Sequence, residues 1–147
     1  MSKIICIANQ KGGVGKTTTA INLAAALAAA ERPTLLVDID PQGNATSGVG
    51  VDKTQLQHSV YDLLINDADP VSLVVDTGHP YLHILPATAD LAGAELELAT
   101  ETGREQKLKN ALALLQERYQ YILIDCPPSL SLLTVNAMTA ADTVLIP

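Results

Sequence analysis

Five short runs, at residues 4–8, 35–39, 82–85, 121–124 and 143–146, are apolar at nearly every position and bounded by turn-forming residues. A strand with one wet face alternates apolar and polar side chains, so runs without alternation belong to a sheet covered on both faces. The helices that would cover it lie between the runs. Residues 17–30 are rich in Ala and Leu and stop at Glu31-Arg32-Pro33. Residues 104–118 place Leu108, Ala111, Leu112 and Leu115 on one helix face. Ser59 is a plausible N-cap for Val60-Tyr61-Asp62-Leu63-Leu64, and further helices are expected over residues 89–99 and 129–140. The alternation predicts an α/β fold, a mostly parallel sheet with right-handed crossovers and helices on both faces.

Composition narrows the interior. The chain has 147 residues, 48% hydrophobic but only 3% aromatic, with no Phe and no Trp, so its core is built from aliphatic side chains and Ala. A charged fraction of 17% excludes disorder as the overall state. The net charge of −7 excludes a domain that wraps nucleic acid by overall charge, although local basic contacts remain open. Two cysteines, Cys6 and Cys126, each inside an apolar stretch, exclude a disulfide framework and read as buried small side chains in a reducing cytoplasm. The start lacks a secretory signal, and the richest apolar piece, residues 23–30, is too short to span a bilayer. The three histidines, His58, His79 and His83, lack partners at metal-ligand spacing and are expected at the surface or in turns. Because the last apolar run ends the chain with no helix to cover it, the sequence is expected to be the front part of a longer domain.

Three motifs carry chemistry. Asn9-Gln10-Lys11-Gly12-Gly13-Val14-Gly15-Lys16-Thr17-Thr18 lies between the first strand and the first helix. Glycines there let consecutive N–H groups point at phosphate oxygens, and the helix start adds its positive dipole end. Lys16 supplies a point charge for β- and γ-phosphates, and the Thr17 hydroxyl is placed to ligate Mg²⁺. The usual pattern G-x-x-x-x-G-K-[ST] fails at its first position, where Gln10 stands, and a second lysine, Lys11, is present instead. The second motif, Leu35-Leu36-Val37-Asp38-Ile39-Asp40-Pro41-Gln42-Gly43-Asn44, delivers two carboxylates to the C-terminal end of a strand, where open α/β sheets bind ligands. They share a pocket that wants a cation, or else Asp38 caps a turn and Asp40 initiates one before Pro41. The third, Tyr121-Ile122-Leu123-Ile124-Asp125, is an apolar strand ending in an acid, the form that holds Mg²⁺ directly or through water.

The first motif resembles the deviant Walker A loop of the ParA/MinD family of P-loop ATPases, and the second is similar to the first switch of ParA proteins. Leu85-Pro86-Ala87-Thr88-Ala89-Asp90-Leu91 also resembles ParA, and with three residues ahead of the first strand the likeness is nearest to the short ParA/Soj type. The resemblance implies an ATP- and Mg²⁺-dependent ATPase. Nucleotide would be held by Lys11, Gly12, Gly13, Val14, Gly15, Lys16, Thr17 and Thr18, and metal by Thr17, Asp40 and Asp125. Lys11 would reach the partner's phosphates across an ATP-sandwich homodimer, Asp40 would position the attacking water, and Asp38 would stand behind Mg²⁺ or Thr17. Pro127-Pro128-Ser129-Leu130 resembles the second switch, which senses the γ-phosphate. Further implications are a ParB-type activating partner, non-specific DNA binding through parts beyond Pro147, a cytoplasmic and nucleoid-associated location without membrane binding, and a role in chromosome or plasmid segregation. Two other functions stand beside it: a MinD-like membrane-cycling ATPase, and a nucleotide-gated dimerisation module with little turnover.

Overall fold

The computed structural model describes residues 2–9, 11 and 15–147. Six strands form one sheet: β1 (Lys3–Ile7), β2 (Thr34–Asp38), β3 (Val75–Asp76), β4 (Leu82–Leu85), β5 (Tyr121–Asp125) and β6 (Thr143–Leu145). Their order is β3-β4-β2-β5-β1-β6, with every pairing parallel except the short β3–β4 edge. The helices are α1 (Lys16–Ala29), α2 (Asn44–Gly48), α3 (Val60–Ile65), α4 (Pro70–Leu73), α5 (Ala94–Leu98), α6 (Lys107–Ala113) and α7 (Leu132–Ala140).

Alternate residues of the central strands feed two cores, one on each face. Leu36, Ile7 and Leu123 pack with Ala20, Ala24 and Ala28 of α1. These alanines recur every four residues, so α1 meets the sheet along a stripe of methyl groups and seats close to it. On the opposite face Leu35, Val37, Ile122, Ile124, Cys6 and Cys126 pack against Leu64, Leu98, Leu108, Leu112 and Leu133. The expected aliphatic interior is what fills both layers.

The α/β expectation holds, with differences that have local causes. Residues 89–99 split into a 3₁₀ turn over Ala89–Gly93 and then α5. Residues 104–118 begin as a 3₁₀ turn over Arg104–Gln106, and α6 ends at Ala113 in tight turns. The last helix starts at Leu132 instead of Ser129, because Ser131 caps it and the Glu95 carboxylate accepts from the Leu132 and Leu133 N–H groups, both at 2.9 Å. Ser59 caps α3 as expected, and Asp62 returns a bond to the Ser59 N–H at 2.9 Å. The run at residues 143–146, read as a buried strand, is an exposed edge strand beside β1. His83 sits half-buried in β4, its Nδ1 2.8 Å from the Tyr119 hydroxyl, so it is neither a turn nor a free surface residue.

One buried polar residue ties the helical layer together. The Asn136 side chain in α7 accepts from the Leu108 N–H at 3.1 Å and donates to the Arg104 and Leu132 carbonyls at 2.9 and 3.0 Å. Truncating it strands buried backbone groups, so Asn136→Ala is expected to destabilise the chain by about 2–4 kcal/mol. Urea unfolding measures this, and a loss below about 0.5 kcal/mol would show that water replaces those bonds.

Candidate nucleotide and metal site

The strand order brings the three motifs to one place. β2, β5 and β1 are neighbours, and in register Asp38 pairs with Asp125 while Asp125 pairs with Ile7, the residue that ends β1 ahead of the glycine loop. Motifs far apart in the chain therefore leave the sheet at the same C-terminal edge.

Of the loop, Gly12, Gly13 and Val14 lie outside the described residues. Lys11 is exposed, and its N–H donates to Asn9 Oδ1 at 3.0 Å. Gly15 has φ 81°, a left-handed backbone that glycine adopts without strain, and it opens α1 with no side-chain cap on the first turn. The first N–H groups of α1 thus have no side-chain partner among the described residues, which is the arrangement an anion uses. Lys16 is the first residue of that turn and is buried; Thr17 is half-buried and Thr18 exposed.

The acids divide into two kinds. Asp38 is fully buried yet saturated: Oδ2 accepts from the Thr46 N–H at 2.9 Å and the Thr46 hydroxyl at 2.7 Å, and Oδ1 accepts from the Asp40 N–H at 3.1 Å. Thr46 in turn accepts from the Ala87 N–H at 3.0 Å. Asp38 is therefore an anchor for the loop after β2, and its expected pairing with Thr17 is not found. Thr17 belongs to Asp125 instead, donating to its Oδ2 at 2.8 Å across 108 residues of chain. The other oxygen, Asp125 Oδ1, is buried with no hydrogen-bond partner among the described residues. Burial pushes the Asp38 carboxyl up to about 6. Asp125 goes up to about 7, mainly by burial and further by Asp38 and Asp40, with Thr17 and Lys16 acting in the opposite direction.

Asp40 lies just past β2, largely buried, with Oδ1 accepting from the Gln42 N–H at 3.0 Å. Both turn roles foreseen for this segment are thus present. Gly43 then turns the chain at φ 65°, where an added Cβ would meet the Ala87 oxygen at 3.1 Å and the Lys53 side chain. Lys53 Nζ donates to the Gln42 carbonyl at 2.8 Å. Thr46 and Lys53 carry no sequence signal of their own, because their partners, Asp38 and the Gln42 carbonyl, are brought near only by the fold. On the other side of the loop, an open groove of about 400 Å³ runs from Asn9 and Lys11 to Ser129, Leu130 and Met138. Its mostly apolar wall includes Leu130 of the predicted second switch, which is exposed.

An orphaned buried carboxylate oxygen beside a threonine hydroxyl and two further acids fits a hard divalent cation. No cluster of three or more His, Cys, Asp or Glu able to hold a metal unaided occurs among the described residues. Mg²⁺ takes one or two protein ligands and draws the rest from phosphate and water, and Thr17 and Asp125 are of the oxygen-donor type it binds.

The family model described as an AAA domain, AAA_31, matches residues 2–147. The chain belongs to the AAA_31 family. Within it, this chain is of the ParA/Soj P-loop type: it is 56% identical over 147 residues to the sporulation initiation inhibitor protein Soj of Bacillus subtilis, covering 100% of this chain and 58% of that protein. It is 58% identical over 147 residues to the chromosome partitioning protein ParA of Myxococcus xanthus, covering 100% of this chain and 52% of that one. A crystal structure of cobyrinic acid a,c-diamide synthase from Mycobacterium smegmatis, with bound ATP analogue and magnesium, superimposes with TM-score 0.96 at 46% identity, covering 100% of this chain and 60% of that chain. This AAA_31 chain thus spans little more than half the length of the curated relatives it matches. No helix among its described residues is long and apolar enough to cross a membrane.

Raised carboxyl pKa values mean that the folded chain holds protons that the unfolded chain releases from about pH 4 upward. Stability from this source is complete below the unfolded value of 3.8 and is lost as pH rises through about 6 for Asp38 and about 7 for Asp125. Metal-free chain should therefore lose stability between about pH 4 and about pH 8. Asp125→Asn should flatten the upper part of this fall and leave the chain about 1–3 kcal/mol more stable than the parent at about pH 8 without divalent cations. Urea titrations at the two pH values check this; parental stability that rises across the window contradicts an uncompensated carboxylate.

Proposed function

We propose that this chain carries the nucleotide site of a Mg²⁺-dependent partitioning ATPase that converts ATP and water to ADP and phosphate. The observation that carries the proposal is the Thr17–Asp125 hydrogen bond with the orphaned Asp125 Oδ1 beside it, at the uncapped first turn of α1. Relatives of the ParA/Soj type and the magnesium-bound M. smegmatis homologue support it.

In this mechanism the amides of residues 12–17 and the Lys16 ammonium bind the triphosphate and orient its terminal phosphoryl group. Thr17 and Asp125 hold Mg²⁺, which when bound neutralises phosphate charge and relieves the repulsion among the acids. Asp40, fixed after the Asp38 anchor, orients the attacking water and takes its proton. Lys11, which is exposed, reaches the phosphates of a second copy in an ATP-bound dimer, so dimerisation and hydrolysis are coupled. Around that site the longer protein would cycle between DNA-bound dimer and free monomer under a ParB-type activator in the cytoplasm, driving chromosome or plasmid segregation.

Single-turnover kinetics on the intact protein separate these roles. Lys16→Ala should weaken nucleotide binding by about 100-fold or more. Asp40→Ala should leave ATP binding intact and slow hydrolysis by about 10²–10⁴-fold; an unchanged rate removes Asp40 from catalysis and favours a dimerisation module. Lys11→Ala should bind ATP as a monomer by light scattering, and a normal ATP-dependent dimer would sink the trans contact. ATP-dependent binding to anionic vesicles in place of duplex DNA would point to a membrane-cycling ATPase instead.

A further inference from the structure

The site described above makes no use of the two cysteines, yet the fold brings them together. Cys6 lies in β1, and Cys126 directly follows Asp125 at the end of β5. Both side chains are fully buried, and their sulfur atoms are 3.2 Å apart. The two backbones are tied at the same point, since β1 and β5 pair Cys6 with Ile124 and the Cys126 N–H donates to the Ile7 carbonyl at 3.2 Å. A disulfide has sulfurs about 2.05 Å apart, so closure asks for roughly 1 Å of movement by two side chains already in contact.

We propose that Cys6 and Cys126 are a modification site: a dithiol that oxidises reversibly to an intramolecular disulfide, cross-linking the strand that feeds the glycine loop to the strand end that carries Asp125. The oxidant class is a small-molecule disulfide such as oxidised glutathione. One cysteine thiolate attacks a sulfur of the oxidant, whose S–S bond breaks to release one reduced glutathione and leave a mixed disulfide. The second thiolate then attacks the protein sulfur of that mixed disulfide and expels the second reduced glutathione. Overall, the two protein thiols lose two protons and two electrons, and one glutathione disulfide gains them. Because both sulfurs are buried, exchange proceeds through opened or folding chain, and the dithiol is the resting form in a reducing compartment.

The test unfolds the chain in urea, refolds it by dilution into mixed oxidised and reduced glutathione, and traps it by alkylation. In parallel, folded chain is incubated with diamide. Intact mass and non-reducing peptide mapping are expected to show a monomer lighter by two hydrogens and a peptide linking Cys6 to Cys126 that reductant releases. Absence of the linked peptide from both preparations, with the thiols alkylated, capped by glutathione or joined between chains, overturns the proposal.

Discussion

Asp38 and Asp125 are register partners on adjacent parallel strands, both fully removed from water, with Asp40 close by. Three carboxylates at the end of an aliphatic sheet constitute the constraint around which the rest of the strand-end structure is built. Like charges in such a place either take up protons or find cations and donors. The fold resolves the problem unequally. Asp38 receives three donors, so its charge is dispersed into the backbone of the following loop. Among the described residues Asp125 receives one, from Thr17, and its other oxygen has no hydrogen-bond partner. That inequality gives the two acids different tasks: one holds the loop, and the other is left with coordination capacity facing Lys16 and the start of α1.

Much of this architecture was legible before any coordinates. Four of the five apolar runs lack alternation because they form the inner strands β4, β2, β5 and β1, covered on both faces, so burial matches the pattern. The fifth, at residues 143–146, has the apolar composition of a covered strand while β6 is exposed; it is the uncovered run on which the expectation of a longer domain rests, and the chain spans little more than half the length of its relatives. β3 escaped notice because Val75–Asp76 is a two-residue pairing held by β4, with no periodicity to detect. Helix ends were displaced wherever a tertiary partner intervened. Glu95 is the clearest case: its carboxylate, far off in sequence, decides that α7 begins at Leu132.

At the site, residue types at fixed spacing announced the loop, the paired acids and the strand-end acid, since each motif is local. What spacing could not reveal is which acid meets which donor. Asp38 and Asp125 are equally plausible partners for Thr17 on paper. The lateral order β2-β5-β1 sets Asp125 next to the strand that feeds Thr17's helix, whereas Asp38 is one strand further away and turns to Thr46. Sheet order is a long-range property, so the assignment had to come from the fold.

The strand-end segments differ from the sheet in how they are held. The sheet rests on two continuous apolar cores, whereas the loop after β2 is fastened by Asp38, Thr46 and Lys53, and the segment after β5 by Thr134 accepting the role of donor to the Ser129 carbonyl at 2.7 Å. Each such bond contributes about 1 kcal/mol net, far less than the burial that fixes the strands. Ile39 and Ala45 are also fully buried in the two cores, so the loop after β2 is seated by burial as well as by these bonds. A ligand that satisfies Asp125 Oδ1 and the α1 N–H groups left without side-chain partners among the described residues would act where these segments leave the sheet. Its binding energy would bear on contacts held by single hydrogen bonds, the ones that cost least to exchange.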